Sequence, residues 1–77
     1  MTITVKFFAS LREQMGQSET CIETTDSLTA AQIWAQVCNN APFPAHVLTA
    51  INLEYTDQNA YVQDGDELAF FPPVTGG

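Results

Sequence analysis

The sequence predicts an α+β domain in which one sheet packs against one long helix. Three stretches carry that expectation: a period-two strand at the start, "TITVKFF", a capped apolar helix in the middle, "LTAAQIWAQVCNN", and a strand near the end, "ELAFF". Strands and helix are segregated along the chain and do not alternate as they would in a parallel α/β sheet. With 77 residues there is room for one domain, 1–77. A chain this short buries only about 60% of its unfolded surface. An internal cofactor pocket beside a separate catalytic cleft is not expected.

In the first strand Ile3, Val5 and Phe7 point one way, and Thr2, Thr4, Lys6 and Phe8 the other. "ASLREQMG" follows as a short helix ending on the glycine cap Gly16. Ser18 to Thr24 reads as a second, mostly polar strand near a sheet edge. The long helix opens on a capping box, Thr29 and Gln32, with Leu28 and Ile33 at the positions of a hydrophobic staple. Ala30, Ile33, Trp34, Val37 and Cys38 form its apolar stripe, which assigns Trp34 to the core. Asn39, Asn40 and Pro42 end it. "PFPAH" reads as a loop, "VLTAIN" as a short strand, and Asn52 to Glu54 as a turn. A further short strand or turn precedes Asp64-Gly65, a hairpin signal. In the last strand Leu68 and Phe70 face one way, Ala69 and Phe71 the other.

Nine acidic residues stand against Lys6 and Arg12 alone, a formal net charge of −7. Nucleic-acid binding needs clustered cations to replace counterions, and anionic membranes need the same. Both are disfavoured, whereas a basic protein partner is favoured, with solubility alone as the other reading of the acidity. Cys21 and Cys38 have no metal-binding or redox spacing, and a disulfide between them is not expected. "MTITVKFF" lacks the features of a signal peptide, and no apolar run is long enough to cross a membrane. The cytoplasm is the expected compartment.

Ordinary catalytic parts are scarce. Phosphate loops and zinc spacings are absent, so no metal and no bound cofactor is expected. His46 is a lone loop histidine. Asp64, Asp66 and Glu67 lie too close along one turn to flank a substrate and read as a solvated acidic patch. Chemistry therefore points to the end of the chain, "FFPPVTGG". Pro72 and Pro73 remove two backbone donors, which ends sheet pairing and favours a stiff polyproline course. Six residues, 72–77, span roughly 20 Å at about 3.3 Å each. Val74 and Thr75 lead to Gly76 and Gly77, whose missing side chains suit a narrow channel. The shape is that of a tail inserted into another protein's active site.

"DGDELAFFPPVTGG" resembles the C-terminal signature of the MoaD-type sulfur carriers, the small subunits of molybdopterin synthase. "VKFFASLRE" resembles that family's first strand and short helix, and the order of elements fits throughout. The resemblance implies a ubiquitin-like β-grasp: a mixed sheet on one long helix, short extra helices, and first and last strands as parallel neighbours. It also implies a carrier without an active site of its own. An activating enzyme would use ATP to adenylate the Gly77 carboxylate, and a sulfur donor would convert it to a thiocarboxylate. That group would deliver sulfur to a cyclic pyranopterin monophosphate in the large synthase subunit, within a heterotetramer of two small and two large subunits. Gly77 and Gly76 are then the reacting end. If first and last strands are neighbours, Phe8 and Phe71 form an exposed aromatic patch at the root of the tail. By the resemblance Tyr55 joins it, and Pro72, Pro73, Val74 and Thr75 lie along the partner. A thiazole-forming sulfur carrier, a protein modifier and a non-catalytic docking module are the alternatives.

Overall fold

The computed structural model describes residues 1–40, 43–44 and 46–72. The expectations placed on Pro42 and on Pro73 to Gly77 lie outside these residues. Along the chain run β1 (Thr2–Phe7), α1 (Ser10–Met15), β2 (Glu19–Glu23), β3 (Leu28–Thr29), α2 (Ala30–Val37), β4 (Leu48–Ile51), β5 (Glu54–Thr56), β6 (Tyr61–Val62) and β7 (Glu67–Phe71). Five strands form one sheet in the order β2-β1-β7-β4-β5, and β3 pairs with β6 in a separate two-stranded sheet. β1 and β7 are parallel, and every other pairing is antiparallel. First and last strands are thus the parallel neighbours at the middle of a mixed sheet. The polar strand β2 lies at an edge.

Alternation decides what β1 and β7 bury. Ile3, Val5, Phe7, Leu68 and Phe70 are at most 1% exposed and pack with Ala30, Ile33 and Trp34 of α2. Four aromatics hold the centre of this layer. Trp34 meets Phe7, Phe43 and Phe70 edge-on at centroid distances of 6.4, 5.5 and 4.9 Å. Such tilted contacts suit the ring quadrupoles. Phe43, in a stretch that reads as loop, contributes to the core in this way. No helix among the described residues is long and apolar enough to cross a membrane.

The capping box is complete. Gln32 N–H donates to Thr29 Oγ1 at 3.2 Å, and Thr29 N–H donates to Gln32 Oε1 at 2.8 Å. Leu28 and Ile33, the staple positions, both belong to the buried core. After Val37 the helix stops with Asn39 and Asn40 in the left-handed region, at φ 55° and 65°. Asparagine tolerates that conformation better than most residues. Thr29→Ala removes one arm of the box and is expected to cost about 1 kcal/mol. In a domain of this size that lowers the melting temperature by roughly 4–8 °C, as read by circular dichroism.

Two expectations are corrected. Asp64-Gly65 does not make a hairpin, because β6 pairs with β3 while β7 pairs with β1 and β4. The turn instead links the two sheets. Gly65, at φ 83°, donates its N–H to Thr2 O at 2.9 Å, and Asp64 Oδ1 accepts from Thr2 N–H at 2.7 Å. The two-residue hairpin lies at Asn52-Leu53, between β4 and β5, with both residues at positive φ as a primed turn requires.

The second correction concerns the acidic turn, which is not simply a solvated patch. Asp66 accepts from Asn52 Nδ2 at 2.9 Å and from Gln63 N–H at 2.8 Å. Glu67 Oε2 lies 3.3 Å from Lys6 Nζ. Asp66 ties the β4–β5 turn to the start of β7, and Glu67 ties β7 to β1.

Candidate functional site

The candidate site grows from the sheet face turned away from α2. Lys6 and Phe8 of the first strand segment, Ala69 and Phe71 of β7, and Leu48 and Ala50 of β4 share this face by register. Phe8 lies just past β1, yet its N–H still donates to Phe70 O at 3.2 Å. The parallel pairing therefore continues far enough to hold Phe8 beside Phe71. Their rings stack at 4.7 Å with an interplanar angle of 10°. Phe71 is half-buried and Phe8 is 37% exposed.

Tyr55, opposite Ala50 on the edge strand β5, leans on Phe71 at 5.9 Å and is 72% exposed. The three aromatics singled out in the sequence are thus brought together on one surface. Leu48 belongs with them: it pairs with Phe71 and is 38% exposed. Sequence reasoning missed Leu48 because only the register between β4 and β7 reveals its neighbour. Contiguous exposed apolar surface of this kind marks interaction sites.

The patch sits at the end of β7, where the described chain reaches Pro72. Pro72, half-buried, follows Phe71 directly. Lys6 lies on the same face, 3.3 Å from Glu67 and 4.0 Å from Glu19. An open depression lined by Met1, Thr2, Glu23, Thr24 and Thr25 lies at the other end of β1.

The remaining reactive side chains are dispersed. His46 is exposed in its turn. Both cysteines are free: Cys21 is exposed on β2, and Cys38 packs its sulfur 3.7 Å from Met15 Sδ. Burial pushes the Cys38 thiol above its ordinary pKa, which keeps it protonated and weakens it as a nucleophile. Among the described residues no group of three or more His, Cys, Asp or Glu is arranged to hold a metal ion.

A model of the ThiS family matches residues 5–77. The molybdopterin synthase sulfur carrier subunit of Escherichia coli is 37% identical, with 97% of this chain and 99% of that protein covered. The protein of the same name from Chlamydomonas reinhardtii is 36% identical, with both chains covered in full. Among solved structures, SAMP1 of Haloferax volcanii superposes with a TM-score of 0.82 at 23% identity over the whole of both chains. A molybdopterin converting factor subunit 1 from Pyrococcus furiosus gives 0.80 at 26%, with 96% of this chain and 99% of that chain covered. A chain from the complex of subunits 1 and 2 of the molybdopterin-converting factor of Helicobacter pylori gives 0.68 at 22%, again over both whole chains. The fold is the ubiquitin-like β-grasp. Since the family model runs from the first strand to the last residue, and full-length relatives exceed one-third identity, the chain belongs to the ThiS/MoaD family of sulfur carriers.

Proposed function

We propose that this chain is the sulfur carrier subunit of a molybdopterin synthase. One observation carries the reading above its alternatives: the full-length likeness to proteins named as such subunits. The geometry supports it in a second way. An exposed aromatic stack stands at the root of a diglycine tail, as a chain that inserts its end into a partner requires.

In this reading an activating enzyme joins the Gly77 carboxylate to AMP, with release of pyrophosphate from ATP. A sulfide-level donor displaces AMP and leaves a thiocarboxylate. Adenylation is needed because a carboxylate is a poor electrophile. The thiocarboxylate sulfur then displaces an oxygen substituent from a side-chain carbon of the cyclic pyranopterin monophosphate bound in the large subunit, forming the C–S bond as the C–O bond breaks. Water releases the carrier with its carboxylate restored, and two such transfers complete the dithiolene. Gly76 and Gly77 pass the partner's channel, with Pro72, Pro73, Val74 and Thr75 lying along it. Phe8, Leu48, Tyr55 and Phe71 seat the domain against the large subunit. The acid–base groups and the pterin pocket belong to that subunit. The Helicobacter pylori structure, a complex of subunits 1 and 2, supports a large-subunit partner of this kind. A heterotetramer in the cytoplasm is the corresponding assembly.

The test is reconstitution. Thiocarboxylated chain, mixed with a molybdopterin synthase large subunit and the cyclic pterin, should yield the dithiolene, measured as its oxidised fluorescent derivative. No product from an authentically thiocarboxylated chain refutes the assignment. Formation of thiazole in a reconstituted thiamine system, or of lysine conjugates, would indicate the corresponding relatives instead.

Charge gives a further expectation. With a net charge of −7, association with a basic partner should slow as salt rises, since exposed charges are screened beyond about 8 Å at physiological ionic strength. Dissociation should change less, because the seat is apolar. Asp64, Asp66 and Glu67 are unsuitable for neutralisation, as their carboxylates hold the turn together. Glu13, Glu23 and Glu54 are exposed, and their carboxylates bond no other described residue. Changing these three to Gln should lower the association rate without lowering the melting temperature. Stopped-flow measurements at several salt concentrations check this, and a flat salt dependence would assign the acidity to solubility alone.

A further inference from the structure

Ala9 adopts φ 53° and ψ −129°. Leu11 N–H donates to Phe8 O at 3.1 Å, closing a four-residue turn whose second residue is Ala9. These angles are those of a type II′ turn, in which glycine dominates that position because a side chain there is strained. Ala9 is also the N-cap of α1, where it makes no side-chain capping bond. Ser, Thr, Asp, Asn and Gly are preferred at such caps, and alanine is among the poorest choices.

Glycine would satisfy both demands, and alanine satisfies neither. The fold gives nothing visible in return, since Ala9 is exposed and lies outside the packed core. Of the other left-handed residues, Asn39, Asn40 and Asn52 are of a type that tolerates positive φ; Leu53 is not, and like Ala9 it is exposed where glycine is usual, in the β4–β5 hairpin. Ala9 alone among them directly follows a residue of the aromatic patch.

We propose that Ala9 is a contact residue of the docking surface, its strained turn retained so that the methyl group meets the partner beside Phe8. The inference rests on the reading of that surface as the seat of the large subunit, and it adds a residue that aromatic character does not reveal. The turn projects the methyl in one direction, because the backbone at Ala9 is fixed by the Phe8–Leu11 bond and by Arg12 N–H donating to Ala9 O at 3.1 Å. A side chain held rigidly in an exposed position loses little freedom when a partner closes over it.

Two variants test this, each measured for melting temperature and for affinity to a molybdopterin synthase large subunit. Ala9→Gly relieves the strain and deletes the methyl. Ala9→D-Ala, made by chemical synthesis, also relieves the strain but places its methyl on the other side of the backbone. Both should melt above the wild-type chain. Both should bind about fourfold more weakly or worse, the loss expected for one buried methyl group. Wild-type affinity in either relaxed variant overturns the proposal. So does a Gly variant that melts below wild type, because the methyl would then serve the fold. Failure of the wild-type chain itself to bind overturns the underlying reading of the surface, a result distinct from either.

Discussion

Adding one residue after Gly77, or deleting Gly77, is expected to abolish sulfur transfer while leaving the melting temperature unchanged. In the proposed function the reacting carboxyl must sit at a fixed depth in the partner's active site. Positioning of a reacting group accounts for many orders of magnitude in rate, and a displacement of one residue, about 3.3 Å, forfeits it. The described core is untouched, since Phe71 closes β7 and the core is built from residues before it. Deletion also exposes a different carboxyl, that of Gly76, which tests depth separately from the presence of a terminal carboxylate. Single-turnover sulfur transfer by each variant, with intact mass confirming the altered end, is the relevant readout. Full activity in an extended chain that retains its added residue would contradict the mechanism.

Phe70 and Phe71 are neighbours in sequence and are expected to fail in opposite ways. Phe70 is fully buried against Phe7, Trp34 and Phe43. Truncation to alanine leaves a cavity under α2 and should cost about 3–5 kcal/mol, a large share of the stability of a small domain. Phe71 lies on the other face, half-buried, in contact with Phe8 and Tyr55. Its truncation loses a stacking contact worth about 0.5–1.5 kcal/mol to the fold. Its larger effect should be on the complex, where a central aromatic contributes about 2 kcal/mol or more, roughly thirtyfold in affinity. Thermal melting and titration against the large subunit separate the two. A large fall in melting temperature with unchanged affinity for Phe71→Ala would return Phe71 to the core and remove the patch.

That contrast also shows why parts of the molecule were legible in the sequence. Period-two alternation assigns Phe7 and Phe70 to one face and Phe8 and Phe71 to the other, because a strand offers its side chains only two directions. The start of α2 was legible because its capping box lies within four residues. What depends on distant pairing was not. β3 consists of Leu28 and Thr29, and only Val62 and Tyr61 across from them make it a strand. Asp64-Gly65 has the local chemistry of a hairpin, but hydrogen bonds to Thr2, 62 residues away for Asp64, put it to another use. Asn52-Leu53 hid the true hairpin by placing leucine where glycine is usual. Alternation puts Phe8 and Phe71 on one face, but their adjacency and the place of Tyr55 rest on the family resemblance, and the Leu48 component requires the register of β4. Ala9 reads in sequence as an ordinary helix former, and only its backbone angles distinguish it.

The central claim is that the carboxyl group of Gly77 carries sulfur. Intact mass spectrometry tests it most directly, after incubation of the chain with ATP, an adenylating activating enzyme of the family and a sulfide donor. The mass should rise by the difference between one sulfur and one oxygen, only when ATP is present, and fragmentation should locate the change at Gly77. An unchanged mass under conditions that thiocarboxylate another carrier of the family, or a gain located elsewhere such as Cys21, would contradict the account.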